Sequence, residues 1–507
     1  MESIFNAMQR LPGVWTLVAL IVLSSCTASR QAFRPDHKYS PAELQADYTV
    51  FRNLLEESHP SLYWYTPKDS MNYYFDLGYS KLNDSMTEPQ FRTLLSYVIA
   101  KVNCGHTTTR YSKKYTKYLD TLRGVRSFPL AFKLWKDTMV VSANLNRRDS
   151  LLTRGTVVRT INGIPHKQLA DTLFQYLATD GYNEVSKYQQ LSNRGNFGGW
   201  YRNVFGLPGR FSIGYVDSLG NEREASVPLY NPAADTGRQF VLGPKLSKKE
   251  RNKLALLGVR NVQIDTSLQS AFMTLNSFSR GNLLRSFFKE SFKTLRKHNI
   301  KHLVIDVRGN GGGDASLSTL LTRYVIDHKF KLTDSLYAVK RSSKYGNHIQ
   351  NQWIYWSIMQ FLTKKRKDGN FHFGYFERHY FKPRKKDHFD GNVYILTGGN
   401  SFSATTLFAG ALKGQHNVKI VGEETGGAAY GNSAWMIPDV TLPHTKVRFR
   451  LPKFRLVVNK DQIKDGRGVQ PDILALPSVD AIKRGVDYKV EKVREIIISS
   501  ANSQAGK

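Results

Sequence analysis

The sequence predicts an α/β fold with buried parallel strands, and three stretches carry that expectation. Val393 to Thr397 is a short apolar, β-branched run of the kind that forms a buried strand. Gly398-Gly399-Asn400 breaks it, and Ala404, Leu407, Phe408, Ala411 and Leu412 then share one helical face as far as Gly414. Val418 to Val421 is a second apolar strand, which completes a strand, turn, helix, strand unit. Leu303 to Val307 is uniformly apolar except for Asp306, and runs into Gly309, Gly311, Gly312 and Gly313 before another helical stretch. Those glycines let the backbone turn sharply and approach a ligand, but no Walker lysine accompanies them and the dinucleotide pattern fits poorly.

The 507 residues suffice for two to four domains, and 41% hydrophobic with 12% aromatic content suits a folded chain. Met1 to Arg10 forms a weakly basic leader, and Val14 to Leu23 is apolar but too short to span a bilayer. Leu23-Ser24-Ser25-Cys26 resembles a bacterial lipobox. That resemblance implies a signal peptide at 1–25, lipidation of Cys26 and an envelope lipoprotein held to a membrane by an N-terminal lipid anchor, on the periplasmic face or at the outer membrane. An ordinary cleaved signal or a short anchor is the alternative. With Cys26 so used, Cys104 is left alone and no intrachain disulfide can form.

Residues 26–40 are polar and suit a tether. The region 41–122 is helical in pattern: Phe91, Leu94, Leu95, Val98, Ile99 and Val102 recur at helical spacing, with Gly105 placed as the C-cap and His106 just beyond it. From 123 to 232 the pattern changes to short β runs, TMVVSANL and TVVRTINGIP among them, with a helical stretch near Leu169 to Leu177. RGTVVRTINGIPHKQLADTL looks like the strand-turn-helix segment of a PDZ-type peptide-binding module, whose strand edge would pair with an extended peptide. Residues 231–265 suit a connection or mobile loop, SAFMTLNSF a strand and Phe287 to Leu295 a helix. The stretch 331–390 is an aromatic and basic insertion, read first as a lid, with a nucleic-acid surface or membrane-facing flap as alternatives. β runs follow near Met436, Lys446 to Phe449 and Phe454 to Val458, and 476–507 is a polar tail with a terminal helix.

Lys+Arg 73 against Asp+Glu 41 gives a formal net charge of +32, concentrated at Lys113-Lys114, Lys245 to Lys253, Lys364 to Lys367 and Lys382 to Lys386. No nucleic-acid motif accompanies the excess, so attraction to anionic headgroups or glycans is the preferred meaning. A scaffold that binds acidic polymers through 331–390 stands as a further alternative.

The chemistry is expected at the turn after Thr397. A serine at a helix start sits beside unpaired N–H groups, which stabilise the oxyanion formed when a hydroxyl attacks a carbonyl. The bland alternative is that Ser401 or Ser403 caps the helix. Cys104 is expected to be a small buried residue rather than a nucleophile.

Four blocks then carry a family resemblance: Cys104-Gly105-His106-Thr107; LVIDVRGNGGG from Leu303; NSFSATTLFAGALK from Asn400 with VGEETGG from Val421; and GRGVQPD from Gly466. In this order the chain resembles the serine peptidases that include the C-terminal processing peptidases and the tricorn core, over roughly 41–475. The resemblance implies an α/β core of the crotonase and Clp-protease type at 233–475, behind a helical N-terminal region and a PDZ-like domain. It implies an endopeptidase acting on peptide or protein substrates, which the lipobox resemblance puts at the cell envelope; no cofactor, no metal and no specific nucleic acid are expected. Ser403 matches the nucleophile, His106 the general base and Asp465 the acid that orients it, with Asp461 and Asp472 as alternatives. Ala404 and Gly312 match the oxyanion donors, Gly313 being the alternative to Gly312. Ala428 stands where the bacterial processing branch has a lysine, so the Ser–His pairing of the tricorn-like branch is preferred. Thr406 replaces the usual glutamate after the nucleophile, and Cys104 an aspartate often seen before Gly-His. A peptidase scaffold with weak or no catalysis, binding peptides or lipophilic ligands, is the alternative function.

Overall fold

Helices α1 (Pro41–Ser58), α2 (Lys68–Tyr79) and α3 (Glu88–Ala100) pair the apolar stripes that their sequences predict. The computed structural model describes residues 33–122, 124–235 and 246–505, so the leader 1–25 and Cys26 lie outside the described residues. A capping box opens α1: the Ser40 hydroxyl accepts from the Glu43 N–H while the Glu43 carboxylate accepts from the Ser40 N–H. Leu44, Tyr48 and Phe51 pack against Phe75 and Phe91, and the same cluster takes in Val440, Val447 and Phe449 from far along the chain. The Asp47 carboxylate ties that junction by accepting from the N–H groups of His444 and Thr445, at 2.8 Å each.

The α3 helix stops at Ala100, earlier than the sequence pattern predicts. Asn103, at φ 54°, takes the left-handed position that was expected of Gly105. Gly105 serves a different purpose, because a Cβ there would lie 2.7 Å from the Phe402 ring.

Strands β1 (Leu130–Trp135), β2 (Thr138–Asn144), β3 (Val157–Ile161), β4 (Arg210–Val216) and β5 (Glu222–Pro228) form an antiparallel sheet in that order. Strand β1 alternates buried and half-buried residues, as one covered face requires. Three helices accompany this sheet: His166–Phe174, in the stretch expected to be helical, with Glu184–Ser192 and Asn196–Phe205 beyond it.

The central sheet has the order β6 (Arg260–Asp265), β7 (Ser270–Leu275), β8 (His302–Asp306), β9 (Asn392–Thr397), β10 (Val418–Gly422) and β11 (Ile473–Leu474). Strand β6 runs antiparallel to β7, and every later pairing is parallel. Alternation along the strands sends Leu303 and Ile305 to one face and Val304 to the other. The first face is covered by α4 (Leu284–Lys297), α5 (Ala315–Val325) and, beyond the insertion that holds α6 (Gln352–Leu362), α7 (Ala404–Leu412). Phe288, Phe292 and Phe408 are fully buried there, and truncating any of them to alanine costs about 3–5 kcal/mol.

Two expectations are corrected here. Residues 248–265 are a capped helix (Lys248–Val259) and the edge strand β6, not a loop. The expected 476–507 tail is not free over its described residues, 476–505: α8 (Tyr488–Ala505) lays Val493 and Ile497 on Val304 and Leu396, covering the second face of the sheet.

Candidate active site

The turn between β9 and α7 is fastened by its neighbours. The Ser401 hydroxyl donates to the Val307 carbonyl at 2.8 Å and accepts from the Gly398 N–H at 3.2 Å. The Phe402 N–H donates to the Asn310 carbonyl at 3.1 Å, which locks the turn to the glycine run after β8. Ser401 is therefore a structural clasp.

Ser403 is held differently. Its backbone sits at φ 58°, ψ −120°, a conformation that costs an L residue about 1–3 kcal/mol. Its side chain makes no capping bond, and its hydroxyl has no hydrogen-bond partner among the described residues, so capping is not its role. It opens instead onto a cavity of about 800 Å³, walled by Leu407, Trp435, Met436 and Leu456 and lined also by Gly313, Ala404 and Arg450. The Arg450 guanidinium has no hydrogen-bond partner among the described residues, and burial pulls it below the usual arginine value.

The glycine run comes within van der Waals distance of this serine. A Cβ on Gly312 (φ 97°) would meet Ser403 Cβ at 2.8 Å and Ala404 N at 3.1 Å, so only glycine fits. The Gly312 N–H, the expected oxyanion donor, is already occupied: it donates to Asn310 Oδ1 at 2.9 Å. The Gly313 N–H has no partner among the described residues, nor does that of Ala404, and both residues line the cavity with Ser403. The available donor pair is thus Gly313 and Ala404.

His106 is buried, and neither ring nitrogen has a hydrogen-bond partner among the described residues. Its Nδ1 lies 3.8 Å from Asp180 Oδ1, and its ring lies 4.5 Å from that of Phe402 at a 34° tilt. Asp180 is fixed by accepting from the Gly105 N–H at 2.7 Å, and its other oxygen has no partner among the described residues. No hydrogen bond joins His106 to Ser403. The base and nucleophile expected from the sequence thus reach one neighbourhood, with Phe402 bridging them: its ring lies on the imidazole and its backbone leads into Ser403.

Asp465 does not orient His106. It is exposed, and its carboxylate accepts from the N–H of Arg467 within its own turn. Asp461 is exposed too, and Asp472 is committed to Lys413 and the Ile420 N–H. The acid beside His106 is Asp180, which sequence reasoning missed; the only local signal was a carboxylate preceding a turn glycine in Thr179-Asp180-Gly181. That loop touches the expected block all the same, since the Tyr182 N–H donates to the Gly466 carbonyl at 3.0 Å.

Cys104 is buried, and desolvation together with the nearby Asp180 pushes its thiol up to about 11, so it is not a ready nucleophile. Ala428 is buried and bridges to Gly468, leaving no base at the lysine position. The buried Lys489 is paired with Glu423 at 2.6 Å and donates to the Thr397 carbonyl.

A strained serine with a free hydroxyl, two free amides and a buried His–carboxylate pair, at the end of parallel strands, is the arrangement of a serine hydrolase. Residues 269–475 match the model for peptidase family S41. That match is confined to the core, and the likeness it supports is to the serine-type peptidases of the C-terminal processing peptidase group. In fold it is similar to mature CPAF complexed with lactacystin, at 13% identity and TM-score 0.61, over 92% of this chain and 99% of that one. Mature CPAF by itself gives 14% identity and TM-score 0.59, over 90% and 96%. Among curated proteins, none matches the chain in sequence.

Proposed function

We propose that the chain is a cell-envelope endopeptidase that hydrolyses peptide bonds through an acyl-enzyme on Ser403. The observation that carries this reading is the strained Ser403 with its free hydroxyl, set between the unpaired N–H groups of Gly313 and Ala404. The hydroxyl oxygen attacks the scissile carbonyl while His106 accepts its proton. Negative charge on the former carbonyl oxygen is met by the Gly313 and Ala404 N–H groups. Collapse expels the amine, which takes the proton from His106, and a water deprotonated by the same imidazole then releases the acid. Asp180 holds the imidazolium in register. For the first proton transfer the imidazole must leave the Phe402 ring and turn toward Ser403, a local rearrangement that substrate binding would drive.

The apolar walls of the cavity and the unpaired Arg450 favour peptides that offer a large apolar side chain near a carboxylate. The decisive experiment is cleavage of an unfolded protein by the parent and by Ser403→Ala. Undiminished cleavage by Ser403→Ala eliminates the assignment.

A second reading, a peptidase scaffold that binds peptides or lipophilic ligands with little catalysis, is favoured by the missing Ser403–His106 hydrogen bond. A fluorophosphonate probe separates the two: labelling lost in Ser403→Ala supports the enzyme, whereas tight ligand binding without labelling supports the carrier. The envelope location rests on the Leu23–Cys26 lipobox resemblance. Metabolic labelling with a fatty acid, abolished by Cys26→Ala, is the result expected; a chain that takes up no lipid removes that part of the proposal.

A further inference from the structure

Helix α6 presents its apolar face to solvent. Its sequence, QWIYWSIMQFL, is apolar nearly all round, a composition normally found in buried helices, yet Met359 is its only buried residue. At 100° per residue, Met359 points opposite to the face formed by Trp353, Ile354 and Phe361. Trp353 is 71% exposed and Phe361 86%, with Trp356 and Leu362 about half exposed on the flanks. Immediately after the helix come Lys364, Lys365 and Lys367, all exposed and without an ion-pair partner among the described residues. Arg366, between them, is already paired with Glu377.

We propose that α6 and the lysines that follow it form a docking element for the surface of an anionic phospholipid bilayer. Tryptophan rings favour the headgroup boundary, and a short apolar helix beside a basic run is the composition of an in-plane interfacial anchor. The charges select this occupant over a second copy of the chain. Two copies meeting through α6 would bring together unpaired lysines of molecules that each carry a formal +32, whereas anionic headgroups neutralise them. The 11-residue helix is about 16 Å long, half a bilayer core, so it lies along the surface rather than crossing.

The position of α6 gives the docking a consequence. Met359 packs in a cluster with Leu407, Trp435, Met436 and Leu456, the residues that wall the Ser403 cavity. Met359 faces away from the docking face, so α6 would stand between the bilayer and that cavity wall and link the two by direct packing. This inference does not depend on Ser403 being catalytic, nor on lipidation at Cys26.

The test uses the full chain carrying Cys26→Ser, so that no lipid can attach, with vesicles rich in phosphatidylglycerol or made of phosphatidylcholine alone. Binding to the anionic vesicles should fall at least about tenfold in Trp353→Ser/Trp356→Ser/Phe361→Ser. It should weaken and lose salt dependence in Lys364→Gln/Lys365→Gln/Lys367→Gln. Brominated lipid should quench tryptophan fluorescence of the Cys26→Ser chain more than that of the triple serine variant, with thermal unfolding confirming that both are folded. Equal vesicle binding by parent and variants overturns the proposal. So does a concentration-dependent dimer that the serine variant abolishes without changing vesicle binding.

Discussion

The two halves of the candidate site are built in opposite ways. The nucleophile half comes from one contiguous turn and one glycine run, and Ser401, Phe402 and Asn310 all spend hydrogen bonds on fixing it. The base half is assembled from His106 after the N-terminal helices and Asp180 from the 123–232 region, and it leaves both imidazole nitrogens and one carboxylate oxygen unpartnered. Buried polar atoms without partners cost about 1–3 kcal/mol each, so this half gains most when a substrate or a rearranged side chain satisfies it. On the proposed mechanism, a rigid nucleophile served by an adjustable base would have its activity controlled from the His106 side.

The sharpest way to break that division is to remove each half separately. Ser403→Ala and His106→Ala should each lower turnover of an unfolded protein by about 10⁴-fold or more, and the double variant should be little worse than either, because the two act as one unit. Single-turnover assays check this. Additive losses would mean that the imidazole serves something other than Ser403. Next in size, Asp180→Asn should reduce turnover by about 10²–10⁴-fold, because it keeps an acceptor for the Gly105 N–H but loses the charge facing His106. Asp465→Asn should stay within about twofold of the parent, since its carboxylate serves only its own turn. Reversal of that order would return the orienting role to the Gly466 block.

Gly312→Ala probes the rigid half without touching any reacting group. Its Cβ would press on Ser403 Cβ and the Phe402 carbonyl at 2.8 Å, from a φ of 97° that alanine adopts poorly. The expected loss is about 1–3 kcal/mol of stability together with a severalfold fall in fluorophosphonate labelling, measured by urea unfolding and probe kinetics. An unaffected variant would show that the turn is looser than its hydrogen bonds imply.

The same division explains what the sequence could disclose. The nucleophile turn was legible because its parts are adjacent: an apolar run, a Gly-Gly-Asn break, a serine and a helical stripe all lie between Val393 and Leu412. The β8 strand and its glycine run were legible for the same reason. What escaped was long-range. Asp180 lies 75 residues from Gly105 in a loop with no motif, and only the fold brings it to His106. Gly105 was misread as a cap because asparagine can also take the left-handed position, while contact with Phe402 reserves Gly105 for close approach. The Gly312 donor was misassigned because a side chain two residues earlier, Asn310, consumes its N–H. Strand β6 was missed because its residues are mostly half-exposed and lack a buried apolar run.

The finest test of the asymmetry is acid. His59 is buried behind the base half: its Nδ1 accepts from the Ser61 N–H at 3.1 Å, which leaves Nε2–H to donate to Thr107 Oγ1, 2.8 Å away. The bond that Nδ1 accepts requires the neutral ring, whereas the Nε2–H donor survives protonation, and burial, seconded by the nearby Arg455, pushes the ring's pKa down to about 3. An unfolded histidine titrates near 6.5, so between these values the unfolded chain binds the extra proton. The stability that His59 contributes is therefore fully present above about pH 6.5 and drains away as pH falls toward 3, with a slope of at most about 1.4 kcal/mol per pH unit. Urea midpoints for the parent and His59→Gln should converge as pH drops from about 7 to about 4.5, a window above most carboxylate titrations. Because Thr107 follows His106 directly, loosening this contact disturbs the base and leaves the turn around Ser403 intact. A pH-independent gap between the two proteins would show that His59 is not held neutral, and that the base half is as firmly built as the nucleophile it faces.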